Sequence, residues 1–193
     1  MNIADALYEG IVDYKSRLSS EASDPRGMIA NIRAEFPSEA KAAAFAGVPR
    51  SSWRRWARGA RPSARGFAAL QAAQRRVRLP REREKWMRHG HIVVRGWLAF
   101  SDETERFNRL VTDWPQIPGG PPEVQPAGMQ SRILDPWLAA NDIAAVNALM
   151  SVVVAGLQYH AGGGIQVQVA DISSIRWYRT RGEAQHAMRL REF

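Results

Sequence analysis

The spacing of small, glycine and tryptophan residues between positions 43 and 56 constrains the fold of this chain most. Ala43 is small enough for a second helix to cross it, and Gly47 can adopt a left-handed backbone at little cost. Val48 then supplies an apolar side chain directly after the turn. Trp53 and Trp56 lie three residues apart, which places both on one face of a helix. The pattern predicts a helix-turn-helix made of two short helices, 38–46 and 49–58.

The polar residues of the second helix point away from the core if both tryptophans are buried. Arginine can read guanine edges with two hydrogen bonds or pair with phosphates, and hydroxyls at a helix start suit phosphate contact. Such a face can enter the major groove of DNA. The sequence does not assign a role to each arginine, and it leaves open a helical hairpin whose arginines are only solvated. The predicted DNA-binding residues are Arg50, Ser51, Ser52, Arg54, Arg55, Arg58 and Arg61.

Basic charge is concentrated around this motif. Residues 50–90 hold thirteen Lys or Arg and two acids, a net charge of +11, while the whole chain carries +8. The remaining residues therefore sum to −3, and a polyanionic partner is indicated for the basic segment.

The chain has no cysteine, which excludes disulfides and Cys-ligated zinc. With no signal peptide or membrane-spanning stretch in the sequence, we expect a cytoplasmic, nucleoid-associated protein.

Hydrophobic periodicity predicts an α+β fold that is mostly α. Apolar stripes indicate two scaffold helices, 3–18 and 25–36, and a helical connector over 63–90 that is interrupted at Leu79-Pro80. Residues 91–100 are typical of a strand, 101–111 of a helix, and the proline-rich 115–128 of a loop. A helical stretch, 133–159, breaks near Asn141-Asp142, and the alternation at 165–169 predicts a strand that Ile172 and Ile175 extend and that pairs with the first.

These elements predict three parts of the chain. Residues 1–90 form a helical helix-turn-helix domain with a basic connector, residues 91–180 form a small strand-helix-helix-strand domain available for oligomerisation, and residues 181–193 form a tail. His89 and His91 have too few partners for a metal site, and Gly162–Gly164 lacks the lysine of a phosphate loop. We therefore predict no enzyme activity, no cofactor and no metal.

The order of these elements resembles the telomere-protecting terminal proteins of linear actinobacterial (Streptomyces-type) chromosomes and plasmids. The likeness runs from about Lys41 to Tyr178 and is most specific over 90–109 and 133–175. Residues that follow the family's pattern are Phe100, Arg106, Arg109, Leu134, Trp137, Ala140, the run Val152–Gln158, Val167, Val169, Asp171, Ile172 and Ile175.

The resemblance implies that the protein primes replication of DNA ends. In that family a threonine hydroxyl accepts the first deoxynucleotide and becomes covalently joined to the 5′ end of the DNA. Thr104 lies in the segment that matches the family's acceptor region, so the resemblance makes it the first candidate and Ser101 the second. We expect Ser101 to cap the helix predicted over 101–111, which leaves the Thr104 hydroxyl free. Both residues could instead merely start that helix.

Two functions remain open at this point. The first is a terminal protein that binds telomeric DNA together with a DNA polymerase and a telomere-associated protein. The alternative is a helix-turn-helix transcriptional regulator or plasmid-maintenance protein whose C-terminal domain only makes a homodimer. Both need the same arginines, and only the first becomes covalently attached to DNA.

Overall fold

The computed structural model describes residues 2–12, 22–100, 103–110, 128–161 and 168–190. Within these residues the chain is α+β and mostly α, as predicted. The helices are α1 (Ile3–Val12), α2 (Pro25–Ala34), α3 (Glu39–Phe45), α4 (Arg50–Ala57), α5 (Ala64–Arg78), α6 (Arg81–Met87), α7 (Met129–Leu138), α8 (Asp142–Ala161) and α9 (Arg181–Arg189). The strands are β1 (His91–Phe100), β2 (Glu103–Leu110) and β3 (Gln168–Tyr178).

Helices α2 to α5 share one hydrophobic core, which we call the helix-turn-helix core. Asp24 and Pro25 start α2, because the Asp24 carboxylate accepts hydrogen bonds from the amides of Arg26 at 2.9 Å and Gly27 at 3.0 Å. Ser38 caps α3 in the same way through the amide of Lys41. The buried members of this core are Met28, Ile29, Ile32, Ala42, Ala43, Ala46, Val48, Trp53, Trp56, Leu70 and Ala73.

A second core, the sheet core, lies between one face of the sheet and helices α1, α6, α7 and α8. Its largest fully buried side chains include Met87 at the end of α6, Ile92 on β1, and Ile133, Leu134 and Trp137 on α7. The break between α7 and α8 falls where the sequence predicts it, just before Asp142. The connector is also helical with the expected interruption at Leu79-Pro80.

Helix α1 belongs to the sheet core, although the sequence places it in the helical domain 1–90, and residues 13–18 of the predicted helix 3–18 lie outside the described residues. Leu7 and Ile11 are buried among the residues of the sheet core. The backbone of Gly10 lies directly on β3, since a Cβ at that position would be 2.2 Å from the carbonyl oxygen of Ile175. The apolar stripe of α1 was predicted correctly, but periodicity does not tell which partner a stripe packs against. The predicted domain 1–90 therefore contributes to both cores.

The sheet has the strand order β2-β1-β3, with both pairs antiparallel. Pairing of β1 with β3 confirms that the two predicted strands meet, and residues 165–167 of the predicted strand 165–169 lie outside the described residues. The predicted helix over 101–111 is wrong, because Glu103–Leu110 forms β2 and pairs with β1 from Phe100↔Glu103 to Val93↔Leu110. The edge of β1 presents a continuous row of backbone N–H and C=O groups. Pairing of residues 103–110 with these groups overrides the helical preference of the Glu and Arg residues.

The predicted tail also needs correction, because residues 181–189 form α9 on the other face of the sheet. Thr180 and Glu183 make a capping box that starts this helix. Ala184 packs on Val93, so the continuous apolar run of β1 is covered on both faces. Arg95 of β1 donates to the carbonyl oxygen of Ala187 at 2.5 Å and ties α9 to the sheet. The capping signal Thr-x-x-Glu at Thr180 and Glu183 is present in the sequence and marks the start of this helix.

The described residues contain no helix that is both long and apolar enough to cross a membrane. In the same part of the chain no three His, Cys, Asp or Glu side chains come together as a metal site. His89 is exposed and His91 half-buried at the start of β1.

Candidate nucleic-acid interface

The turn between α3 and α4 has the geometry that the sequence predicts. Gly47 has a φ of +67°, and its amide donates to the carbonyl oxygen of Ala44 at 3.0 Å. The amide of Val48 donates to the carbonyl oxygen of Ala43 at 3.1 Å, which completes a Schellman motif at the end of α3. Val48 itself is buried. The turn therefore fixes the direction in which α4 leaves.

The inner face of α4 carries the two tryptophans, both buried as predicted. Trp53 is 1% exposed and Trp56 5% exposed. Trp56 packs on the backbone of α5 at Gly66, where a Cβ would come within 2.5 Å of the ring. Burying two indoles against α2 and α5 fixes the rotation of α4 about its axis, and with it the residues that face solvent.

The outer face of α4 presents the predicted contact residues to solvent. Ser51, Arg54, Arg55 and Arg58 are exposed and line one shallow depression together with Ala60. Arg50 is exposed at the start of the helix, and Arg61 is exposed just beyond it. Ser52 is half-buried and is thus the least available of the predicted set. We call the exposed residues of α4 the recognition face; they are Arg50, Ser51, Arg54, Arg55 and Arg58.

The end of α4 is fixed by a residue that the sequence analysis did not single out. Arg26 of α2 donates from Nη2 to the carbonyl oxygen of Arg58 at 3.0 Å. Its guanidinium lies against Gly59, where a Cβ would be 2.0 Å from Nη2. A cation at a helix C-terminus satisfies free carbonyls and interacts favourably with the helix dipole. Arg26 thereby anchors the recognition face to α2.

A second residue missed by the sequence analysis is Glu39, at the first position of α3. Its Oε1 accepts a hydrogen bond from Nε of Arg50 at 3.0 Å and another from Nε of Arg54 at 2.7 Å. These hydrogen bonds lower the pKa of the Glu39 carboxyl below its usual value, so the group stays ionised at neutral pH. The contact joins α3 to α4 across the turn. Glu39 lies 11 residues before Arg50 and 15 before Arg54, and helical periodicity predicts contacts only between residues three or four apart.

The thirteen basic residues of the segment 50–90 separate into two groups. Nine are exposed, namely Arg50, Arg54, Arg55, Arg58, Arg61, Arg65, Arg76, Arg81 and Lys85. The other four, which we call the seam arginines, bind acceptors inside the protein; they are Arg75, Arg78, Arg83 and Arg88. The net charge of the segment therefore overstates the charge that is free to meet a polyanion.

One seam arginine, Arg75, joins the two cores. Arg75 is 7% exposed and forms a bidentate ion pair with Asp142, in which Nη1 lies 2.8 Å from Oδ1 and Nη2 lies 2.9 Å from Oδ2. It also donates to the carbonyl oxygen of Trp137 at 2.9 Å, and its Cζ lies 5.1 Å from the centre of that indole ring. Arg75 thus ties α5 of the helix-turn-helix core to α7 and α8 of the sheet core.

The candidate acceptor residues lie far from α4 in sequence, and Thr104 lies on a different element, β2. Thr104 is the second residue of β2, opposite Ala99, one pair from the end of the β1–β2 hairpin. Its side chain lies outside what the structure describes, as does the whole of Ser101. The expectation that Ser101 caps a helix and leaves Thr104 free no longer applies, because Thr104 is on a strand. Its candidacy as the acceptor comes from the family resemblance.

Compared with known proteins, the chain matches no protein-family model, no curated protein and no solved structure.

Proposed function

We propose that this protein binds DNA by inserting α4 into the major groove, and that it is a terminal protein of a linear replicon. The proposed DNA binding rests on one observation, the amphipathic character of α4. Its inner face is held by buried Trp53 and Trp56, while its outer face gathers Arg54, Arg55 and Arg58 around one depression. A rigid helix with that outer face suits a groove lined by phosphates and base edges.

The charge that remains exposed supports docking on DNA. The recognition face carries four arginines, and Arg61 and Arg65 follow it within a few residues. Cations that neutralise phosphates release condensed counterions, so binding of this kind weakens as salt rises. Arginines of the recognition face that read base edges would add sequence preference to this general affinity.

The second part of the proposal concerns the chemistry at Thr104. Its hydroxyl oxygen would attack the α-phosphorus of a deoxynucleoside triphosphate held in the active site of a partner polymerase. A phosphodiester bond forms between the threonine and the nucleotide, pyrophosphate leaves, and the hydroxyl proton passes to solvent through the polymerase. The protein supplies the primer, and the polymerase and its metal ions supply the catalysis. A position near the end of a hairpin suits an acceptor that must reach into another protein.

A labelling experiment tests this chemistry. The full chain is incubated with an α-labelled deoxynucleoside triphosphate, a terminal fragment of the replicon that encodes it, and an extract containing the host polymerase. We expect label on the protein that survives denaturation. Thr104→Ala should abolish the label while DNA binding persists, and Thr104→Ser should retain part of it because a hydroxyl remains.

Thr180→Ala is the matched control, because the hydroxyl of Thr180 accepts a hydrogen bond from the amide of Glu183 at the start of α9. This change should lower stability by about 1 kcal/mol and leave labelling intact. If Thr104→Ala is labelled as strongly as the parent, Thr104 is not the acceptor, and peptide mapping should examine Ser101 and Thr112. If no hydroxyl is labelled while DNA is bound, the regulator is the correct function.

A further inference from the structure

Glu39 holds two arginines of the recognition face with one oxygen atom. Oε1 accepts from Nε of Arg50 at 3.0 Å and from Nε of Arg54 at 2.7 Å. The two guanidinium side chains remain 56% and 48% exposed, and the carboxylate between them is 34% exposed. Two solvent-exposed cations one helical turn apart are therefore held in a fixed relation by an acid from the preceding helix.

This arrangement determines which N–H groups remain for a ligand. A guanidinium has five N–H donors, and the contact with Glu39 uses the one on Nε. The donors left over are on the two terminal nitrogens, Nη1 and Nη2. Presented end-on, these two nitrogens match the O6 and N7 acceptors of a guanine in the major groove. Arg55 and Arg58 have no acid to orient them in this way among the described residues, and they suit the less directional phosphate contacts.

From this geometry we infer that Glu39 is a positioning residue that directs Arg50 and Arg54 to guanine bases. The inference rests on the proposed DNA binding and adds the base that is read. Four residues of helix span about 6 Å, and stacked base pairs are about 3.4 Å apart, so the two arginines reach guanines within about two base-pair steps. The target site contains two such guanines.

The charge of Glu39 has a second consequence that separates positioning from mere structural support. A carboxylate beside the recognition face repels phosphates, so it weakens binding to any DNA sequence. On the correct site this repulsion is offset by the oriented arginines. Removal of the charge should therefore weaken specific binding and strengthen non-specific binding. Loss of folding would weaken both together.

The test uses the full chain and a pool of duplexes with a randomised central segment. Bound duplexes are enriched and sequenced for the parent and for Glu39→Gln. Affinities are then measured, at one salt concentration, for the duplex the parent selects and for a scrambled duplex of the same composition. We expect the parent to select two guanines within two steps. In Glu39→Gln that preference should fade, and the ratio of specific to non-specific affinity should fall about tenfold.

Glu35→Gln is the matched control, because it removes the same charge from an exposed position at the end of α2. It should keep the selected sequence and the affinity ratio of the parent. The inference is overturned if Glu39→Gln selects the same sequence with the same ratio, or if both affinities fall in proportion. A parent protein that binds duplexes without any selected sequence also overturns it and leaves DNA binding intact. A parent that binds no duplex at all refutes the proposed function itself.

Discussion

The arginines of the recognition face and the seam arginines belong to one basic segment but occupy opposite environments. On α4, Arg54 and Arg55 project into solvent from a helix whose other side is buried. On α5, Arg75 is buried against Trp137 and paired with Asp142. At the end of α6, Arg88 binds both Glu84 and Asp135 at 2.7 Å, and these contacts raise its pKa.

A count of positive charges therefore does not distinguish arginines that bind a partner from arginines that hold the protein together. The guanidinium is suited to both tasks, because its planar fork matches a carboxylate inside a protein as well as a phosphate or a guanine outside. What separates the two groups is burial, because the seam arginines bind acceptors inside the protein, whereas Arg50 and Arg54 stay half-exposed even though Glu39 accepts a hydrogen bond from each. Substitutions in the two regions should therefore have different effects, and four predictions use this difference.

The largest effect is expected on the buried side of α4. Trp53→Ala removes a side chain that is 1% exposed from the helix-turn-helix core. It should lower the free energy of unfolding by roughly 3–5 kcal/mol, measured by chemical denaturation. Arg55→Ala on the opposite side of the same helix is the control and should change stability by less than about 0.5 kcal/mol. Equal stabilities for the two variants would show that the rotation of α4 is wrong.

The second-largest effect is expected for a seam arginine. Arg75→Ala leaves Asp142 and the carbonyl of Trp137 without their donor, so the free energy of unfolding should fall by about 2–4 kcal/mol. The loss stays below that of a fully buried pair because Asp142 is 44% exposed and can hydrate. Arg76→Ala, at the exposed neighbouring position, should cost little. A thermal melt of Arg75→Ala that coincides with that of Arg76→Ala would remove the distinction between the two groups of arginines.

A smaller effect, in a different measurement, is expected on the recognition face. Arg54→Ala combined with Arg55→Ala should leave the melting temperature nearly unchanged and weaken DNA binding about tenfold to a hundredfold. The dependence of affinity on salt should also flatten, by roughly 0.9 in the log–log slope for each phosphate that the protein no longer neutralises. Arg76→Ala combined with Lys85→Ala removes the same charge elsewhere and should matter less. Equal reductions in affinity from both pairs would mean that DNA is held by overall charge and not by α4.

The smallest effect concerns pH and Glu39. Its hydrogen bonds with Arg50 and Arg54 lower the pKa in the folded state, so the folded protein binds fewer protons there than the unfolded chain. The resulting stabilisation is complete above the ordinary pKa of 4.5 and is lost as the pH falls through the lowered value. Melting temperatures between about pH 6 and pH 3 should fall slightly less steeply for Glu39→Gln than for the parent. Identical slopes would indicate that the three side chains do not interact in solution.

The helix-turn-helix could be predicted because its determinants are local. Gly47, Val48 and the two tryptophans lie within ten residues, and each acts through backbone conformation or helical periodicity. The breaks at Leu79-Pro80 and before Asp142 are local for the same reason. The strand β2 could not be predicted in this way, since Glu103–Leu110 becomes a strand only by pairing with the edge of β1.

The same distinction between local and tertiary determinants applies to the candidate site. The sequence by itself determined which face of α4 is polar and that basic residues surround it. Only the tertiary structure decided that Glu39 holds Arg50 and Arg54, that Arg75 is paired with Asp142, and that α1 and α9 cover the sheet. Backbone conformation and helical periodicity are written into neighbouring residues, whereas the partner of a charge or an apolar stripe depends on which distant element the chain brings beside it.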